Sequence, residues 1–168
     1  MPNYIIGNLW DSKADVIAVT TNGVLRHNTY TNLFGNNYKL VMGAGAALEC
    51  KNRYPNIPEM AAIYLQNSGD LYNFVVRGEW PKMELHYLYG FFAIGHIGLF
   101  QTKMDYRQKS TLDLIEYSVN SLNEFLSYNT TLTVAMNFPA IGFGGLPKQA
   151  VQKITDRLND RVSIFSLK

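Results

Sequence analysis

Cysteine is nearly missing from this sequence. Cys50 is the single one among 168 residues, which excludes an intramolecular disulfide and any Cys-rich metal site and fits a reducing compartment. Net charge is also scarce. Fifteen Lys and Arg against 13 Asp and Glu leave +2, too little to argue for a nucleic-acid or membrane partner, with a mild bias toward anionic ligands. There are three histidines, and no His/Asp/Glu group has the sequence spacing of metal ligands, so neither a metal nor a cofactor is expected. Long apolar runs are absent. The longest, near Leu88 to Ile94, is broken by Gly90 and is far too short to span a bilayer. Met1 to Asp11 lacks the basic start and apolar core of a signal peptide. A soluble, cytoplasmic, monomeric protein without a membrane partner is expected.

What is present is an ordinary globular mixture. Hydrophobic residues make up 47% and charged residues 17%, and the length suits one domain over residues 1–168. Tyr4 to Ile6 reads as a short strand closed by Gly7-Asn8. Asp15 to Thr20 is a near-continuous β-branched run, the pattern of a strand buried on both faces, ended by the turn pair Asn22-Gly23. Arg26 to Lys39 has no clear period and reads as a loop or insertion, with Asn28, Asn32, Asn36 and Asn37 as a possible lid. A glycine-rich turn at Leu40 to Leu48 leads into a helix that Pro55 ends, and Pro58 starts another through Leu65.

Leu71 to Arg77 and Leu85 to Ile94 read as strands linked near Trp80-Pro81. Leu112, Ile115, Val119, Leu122 and Leu126 form one apolar face of a helix over Ser110 to Leu126, with Ser110 as its N-cap. Thr131 to Met136 is a further buried strand. Pro147 opens a last helix with Ala150, Val151, Ile154 and Leu158 on one face, and Val162 to Ser166 closes the chain as a strand. Alternating strands and helices without repeat or linker predict an α/β domain with helices over a mostly parallel sheet.

Two glycine-rich segments fall after strands and before helices, where open α/β sheets bind ligands. The first is Met42-Gly43-Ala44-Gly45-Ala46; the second is Pro139 to Pro147, containing Ile141-Gly142-Phe143-Gly144-Gly145. Glycine lets the backbone approach a ligand, and a helix start supplies unpaired N–H groups, so each can seat a phosphate. Neither fits the Walker or dinucleotide pattern. Alone, the first also reads as a helix–sheet contact that tolerates only small residues and the second as a tight strand–helix turn; two in one small domain favour a diphosphate held from both sides.

In this order the segments resemble the macro domain family. Gly7-Asn8-Leu9 is similar to its Gly-Asp-Ile/Leu, Val16 to Asn22 to its strand ending in Asn-Ala-Ala-Asn, Met42 to Ala46 to its first phosphate loop, and Pro139 to Leu146 to its second. Phe100-Gln101-Thr102-Lys103 resembles a Phe-Pro-Thr-Lys segment of the branch that removes ADP-ribose from modified macromolecules. The likeness covers roughly two-thirds of the chain, in keeping with one domain. It implies a three-layer α/β/α fold with a mixed, mostly parallel sheet. It also implies a site for ADP-ribose or a derivative, with an ADP-ribosylated macromolecule as a further partner.

The resemblance also implies roles. Asn8, with Leu9, stands where an acid meets adenine; its carbonyl still accepts a hydrogen bond, without the charge. Asn22 matches a residue that contacts the distal ribose, although its plain reading is a turn residue. Met42, Gly43, Ala44, Gly45 and Ala46 match one phosphate loop, and Ile141, Gly142, Phe143, Gly144 and Gly145 the other, with Phe143 against the distal ribose. Phe165 is a candidate to stack on adenine, or a core residue. Lys103 matches the catalytic lysine of the hydrolase branch, although a lysine beside Arg107 and Lys109 also reads as solvated surface. Of His27, His86 and His96, His96 follows a strand near the expected pocket and is the best acid–base candidate.

One departure stands out: the branch places an acid in the second loop, and no Asp or Glu lies between Phe138 and Gln152 here. Hydrolysis of an ADP-ribose derivative therefore competes with binding without chemistry. The basic group Lys103, Arg107 and Lys109 around Tyr106 supports a nucleic-acid module least, given the low net charge.

Overall fold

A computed structural model describes residues 1–27, 37–76, 83–140 and 145–167. Five parallel neighbours form the body of a six-stranded sheet. They are β1 (Asn3–Ile6), β10 (Val162–Ser166), β9 (Val134–Asn137), β2 (Val16–Thr21) and β8 (Ile97–Gln101), in that order, and β7 (Phe91–Ile94) adds an antiparallel edge next to β8. The apolar run of β2 sits in the middle of this sheet, which is why it lacks polar alternation.

Successive residues point to opposite faces, and each face has its own core. On one side, Val16, Ala18, Phe100, Val134, Met136 and Ile164 pack with α3 (Leu112–Tyr128) and α4 (Lys148–Thr155). On the other, Val19, Leu99 and Ala135 pack with α1 (Gly45–Arg53) and α2 (Ile57–Ser68). This is the expected three-layer α/β/α arrangement around a mixed, mostly parallel sheet. Four of the five residues of the predicted apolar face of α3, Ile115, Val119, Leu122 and Leu126, are fully buried, each contributing about 1.5–3 kcal/mol, whereas Leu112, in the first turn, is exposed.

A second sheet was not foreseen. β4 (Tyr38–Leu40), β3 (Val24–His27), β6 (Met83–Leu88) and β5 (Asp70–Val76) pair antiparallel in that order. The region read as a loop from Arg26 to Lys39 thus begins and ends in strands. The single strand expected from Leu85 to Ile94 is two strands in two sheets. Gly90, with φ +73, turns the chain between them, and a Cβ there would come within 2.3 Å of Ser121 Oγ. β8 was not expected as a strand at all. Its five residues are all buried, so it shows no alternation, and it contains Gly98 and Gln101.

The cap of α3 is Thr111, which accepts from the Leu114 N–H at 3.3 Å; Ser110, the expected cap, is instead buried. Leu158 lies beyond the end of α4 yet remains in the first core. The Trp80-Pro81 link, Asn28, Asn32 and Asn36 lie outside the described residues.

Candidate functional site

The carboxyl ends of β2, β8 and β9 open into a cleft of about 580 Å³. Three neighbouring parallel strands end there, the position where α/β sheets take ligands. One wall is the first glycine loop. Gly43, Ala44, Gly45, Ala46 and Ala47 all border the cleft. Gly45 has φ +56 and begins α1, and no side chain caps that helix. Its first N–H groups and positive dipole end therefore face the cleft. A Cβ on Gly43 would meet nothing within 4 Å, so that position is open.

Asn22 ties this wall to the sheet. Its Oδ1 accepts from the Val24 N–H at 2.8 Å and its Nδ2 donates to the Val41 carbonyl at 2.8 Å. The side chain is 7% exposed and lines the cleft, and among the described residues its second amide hydrogen has no partner. The floor is polar. Asn137 Oδ1 accepts from the Thr20 N–H at 3.1 Å, and its Nδ2 donates to Thr20 Oγ1 at 3.0 Å. Tyr89 Oη meets Thr21 Oγ1 and donates to the Asn22 carbonyl at 2.6 Å; desolvation pushes its hydroxyl pKa up.

The opposite wall is the segment after β8, carrying Thr102, Lys103, Tyr106, Arg107 and Lys109. Gln101, fully buried, holds its base. Its Oε1 accepts from the N–H groups of Tyr89 and Gly90, and its Nε2 donates to the carbonyls of Tyr87 and Lys103. Arg107 holds its middle. The guanidinium donates to both oxygens of Asp105 at 2.7 Å and to Glu84 of β6 at 2.5 Å. Burial pushes the Asp105 carboxyl up, but the hydrogen bonds and charge of Arg107 outweigh it, and the net shift is downward. Tyr106 has two guanidiniums beside it, 5.4 Å (Arg26) and 4.6 Å (Arg107) from its ring centroid, and its hydroxyl accepts from Arg26 Nη2.

The fold also brings together Glu84, His86 and Asp105, whose ligating atoms lie within 4.8 Å of one another. Sequence spacing gave no sign of this group, because Asp105 arrives from another element. Its two carboxylates already bind Arg107, and His86 Nε2 lies 3.5 Å from Glu84, so the donors present form an ion-pair network rather than an open metal site.

Of the residues singled out in the sequence, Asn22, Gly43, Ala44, Gly45, Ala46 and Lys103 meet at the cleft. Met42 sits beneath the glycine loop in the second core, 2% exposed. Gly145, with φ +72, packs on Lys109. Ile141, Gly142, Phe143 and Gly144 lie outside the described residues. Asn8 caps a short 3-10 turn (Leu9–Asp11), accepting from the Trp10 N–H at 3.0 Å, and Leu9 is buried. Neither borders the cleft, and Phe165 packs at the margin of the second core.

His96 requires correction. It stands in the turn before β8, its Nδ1 3.1 Å from the Asp15 carbonyl, at the amino ends of β2 and β8. The cleft lies at their carboxyl ends, so the length of the strands separates His96 from it.

Arg26, Thr20 and Asn137 line the cleft without having been picked out. Asn137, a polar residue closing a buried strand just before the second glycine loop, was the available signal. Arg26 had none once its strand was read as loop. Ala140, at the entry to that loop, has φ +63 and is 5% exposed. An alanine held there is strained by about 1–2 kcal/mol, and the Leu146 N–H closes the loop on its carbonyl at 3.0 Å.

No protein-family model and no curated protein matches the sequence. Solved structures do match. The macrodomain of Mycobacterium tuberculosis DarG aligns over 98% of this chain and 97% of its own, with TM-score 0.63 and 22% identity. The macrodomain of Thermus aquaticus DarG aligns over 100% and 98%, with TM-score 0.61 and 20% identity. Thermosipho africanus DarTG, solved in complex with ADP-ribose, aligns over 98% of this chain and 42% of its own, with TM-score 0.64 and 21% identity. At such identities the likeness speaks for architecture, and together with the layers, strand order and cleft described above it establishes that this chain has the macrodomain fold.

Proposed function

We propose that the cleft binds ADP-ribose and that the protein hydrolyses an ADP-ribose derivative. The derivatives that fit are ADP-ribose 1″-phosphate, O-acetyl-ADP-ribose, and ADP-ribose joined to protein or nucleic acid. The observation that carries the reading is that an uncapped helix start in a glycine loop and Lys103 form opposite walls of one cleft. In this reading the diphosphate sits on the N–H groups at the start of α1. The distal ribose then lies toward Asn22 and Lys103. Lys103 acts on the distal C1″, as the resemblance to the hydrolase branch implies. The ADP-ribose in the Thermosipho africanus DarTG structure supports the choice of ligand.

A second reading is binding without turnover. It is favoured by the absence of any Asp or Glu among the described residues that line the cleft, since a lysine mechanism needs a partner to move protons. Calorimetry with ADP-ribose tests the common part. Gly43→Glu is the control, because its side chain enters open space and repels phosphate without disturbing a packed neighbour. Binding in the wild type and its loss in the variant are expected; no binding at millimolar ligand would refute the reading. Turnover of the candidate derivatives, abolished in Lys103→Ala, then marks a hydrolase, and binding with no turnover at enzyme excess marks a reader.

A further inference from the structure

An apolar row crosses the second sheet and runs out into solvent. Leu40, Leu25, Leu85 and Phe74 lie side by side on β4, β3, β6 and β5. Residues opposed in this way share a face. Leu40 and Leu25 are buried in the second core beneath α2, and Leu85 packs against it. Phe74 continues the row and is 62% exposed.

Its neighbours repeat the pattern. Leu71, opposite Tyr87, is 53% exposed, and Val76, opposite Met83, is 51% exposed. Tyr72, the extra residue of a bulge in β5, is 72% exposed. β5 is also the last strand of its sheet, so one side of its backbone has no strand partner among the described residues. Edge strands are normally guarded by charge, proline or shortness. β5 has seven residues, no proline, and a single charge at its first position, Asp70.

We infer that β5 pairs antiparallel with β5 of a second copy of this chain, making one eight-stranded sheet from two four-stranded ones. The two-fold axis stands normal to the sheet at Phe74, in the regular part of the strand beyond the bulge. It sets Phe74 beside its twin and Tyr72 beside Val76, and keeps both apolar strips on one face. Three observations select a second copy as the occupant. The strip is apolar throughout, so an identical strip complements it, whereas a charged partner would find nothing to pair with. The net charge of +2 per chain opposes self-association little. The four side chains leave on the order of 400 Å² bare per chain, and edge pairing covers their flanks together with both open backbone edges. β5 contributes no residue to the cleft lining, so pairing leaves the cleft open. This inference replaces the monomer expected from the sequence and does not depend on the ligand.

Sedimentation velocity on the full chain is the test, with Phe74→Asp and Phe74→Cys. A dimer is expected at about 100 µM, with Phe74→Asp weakening it at least ~100-fold by placing two carboxylates on the axis. Because Phe74 is exposed in the single chain, the variant keeps its fold, which circular dichroism verifies. Oxidised Phe74→Cys is expected to give a covalent dimer, since opposed side chains on such an axis lie within reach of a disulfide. A wild type that stays monomeric at ~1 mM overturns the inference. So does a dimer that Phe74→Asp leaves intact and Phe74→Cys fails to cross-link.

Discussion

Gly23 shows how one residue can hold the site's scaffold by having no side chain. A Cβ there would lie 2.2 Å from the Tyr87 carbonyl oxygen and 2.6 Å from Gln101 Nε2. Neither can yield. The carbonyl accepts from Gln101 at 2.9 Å, and Gln101 is held at both ends of its amide. Gly23 itself donates to the Met104 carbonyl and accepts from the Tyr87 N–H at 2.8 Å. Gly23→Ala is therefore expected to cost about 2–4 kcal/mol, since overpacking here also breaks hydrogen bonds. Gly43→Ala, with nothing within 4 Å of its Cβ, is expected to change stability by less than ~0.5 kcal/mol. Thermal unfolding of the two variants side by side checks the contrast, and equal midpoints would refute it. The turn pair Asn22-Gly23 was legible in the sequence as a turn. That its glycine is needed for a contact with a buried glutamine, 78 positions along the chain from it by number, was not, because the contact exists only once β8 is placed beside β2.

At the scale of elements, the segment after β8 is fastened to the second sheet by charge. Arg107 bridges Asp105, two residues before it, to Glu84 on β6. The Asp105 carboxyl titrates below its ordinary value in the folded protein. Its contribution to stability is thus fully present above the unfolded value of about 3.9 and is lost as pH falls through the folded value. Asp105→Asn is expected to lower stability at neutral pH by about 2 kcal/mol. It should also flatten the acid limb below about pH 4. Urea midpoints measured across pH decide this; an unchanged acid limb would mean that the ion pair contributes nothing to folding. Periodicity revealed α3, and β-branched runs revealed β2 and β10, because each signal is local. β8 stayed hidden, since five buried residues give no period, and the second sheet stayed hidden because β3 and β4 border the segment read as a loop, although β5 and β6 were read as strands. Lys103 and the first glycine loop were legible through flanking residues that resemble a family. His96 was misplaced because proximity to a strand does not say which end of the sheet the residue occupies.

For the whole molecule, the two cores either side of the main sheet need not open together, and Cys50 reports on one of them. It lies on α1, fully buried in the second core, and burial pushes its thiol up to about 11. At pH 8 it is protonated and out of reach, so a thiol reagent modifies it only when that core opens. Labelling is expected to be slower than for an exposed thiol by ~10³-fold or more, the scale of a marginally stable core. α1 also carries the first wall of the cleft, with Gly45 at its start and Cys50 one to two turns on. A ligand seated on that helix start binds the closed form and not the open one. Free ligand at about 100 times its dissociation constant should then slow labelling by a further ~100-fold. Mass spectrometry of Cys50 modification over time, with and without ADP-ribose, measures both factors. Fast labelling in the absence of ligand would show that the second core does not hold α1. Slow labelling that bound ADP-ribose leaves unchanged would show that the opening which frees Cys50 spares the glycine loop, and that the two ends of this short helix are not one cooperative unit.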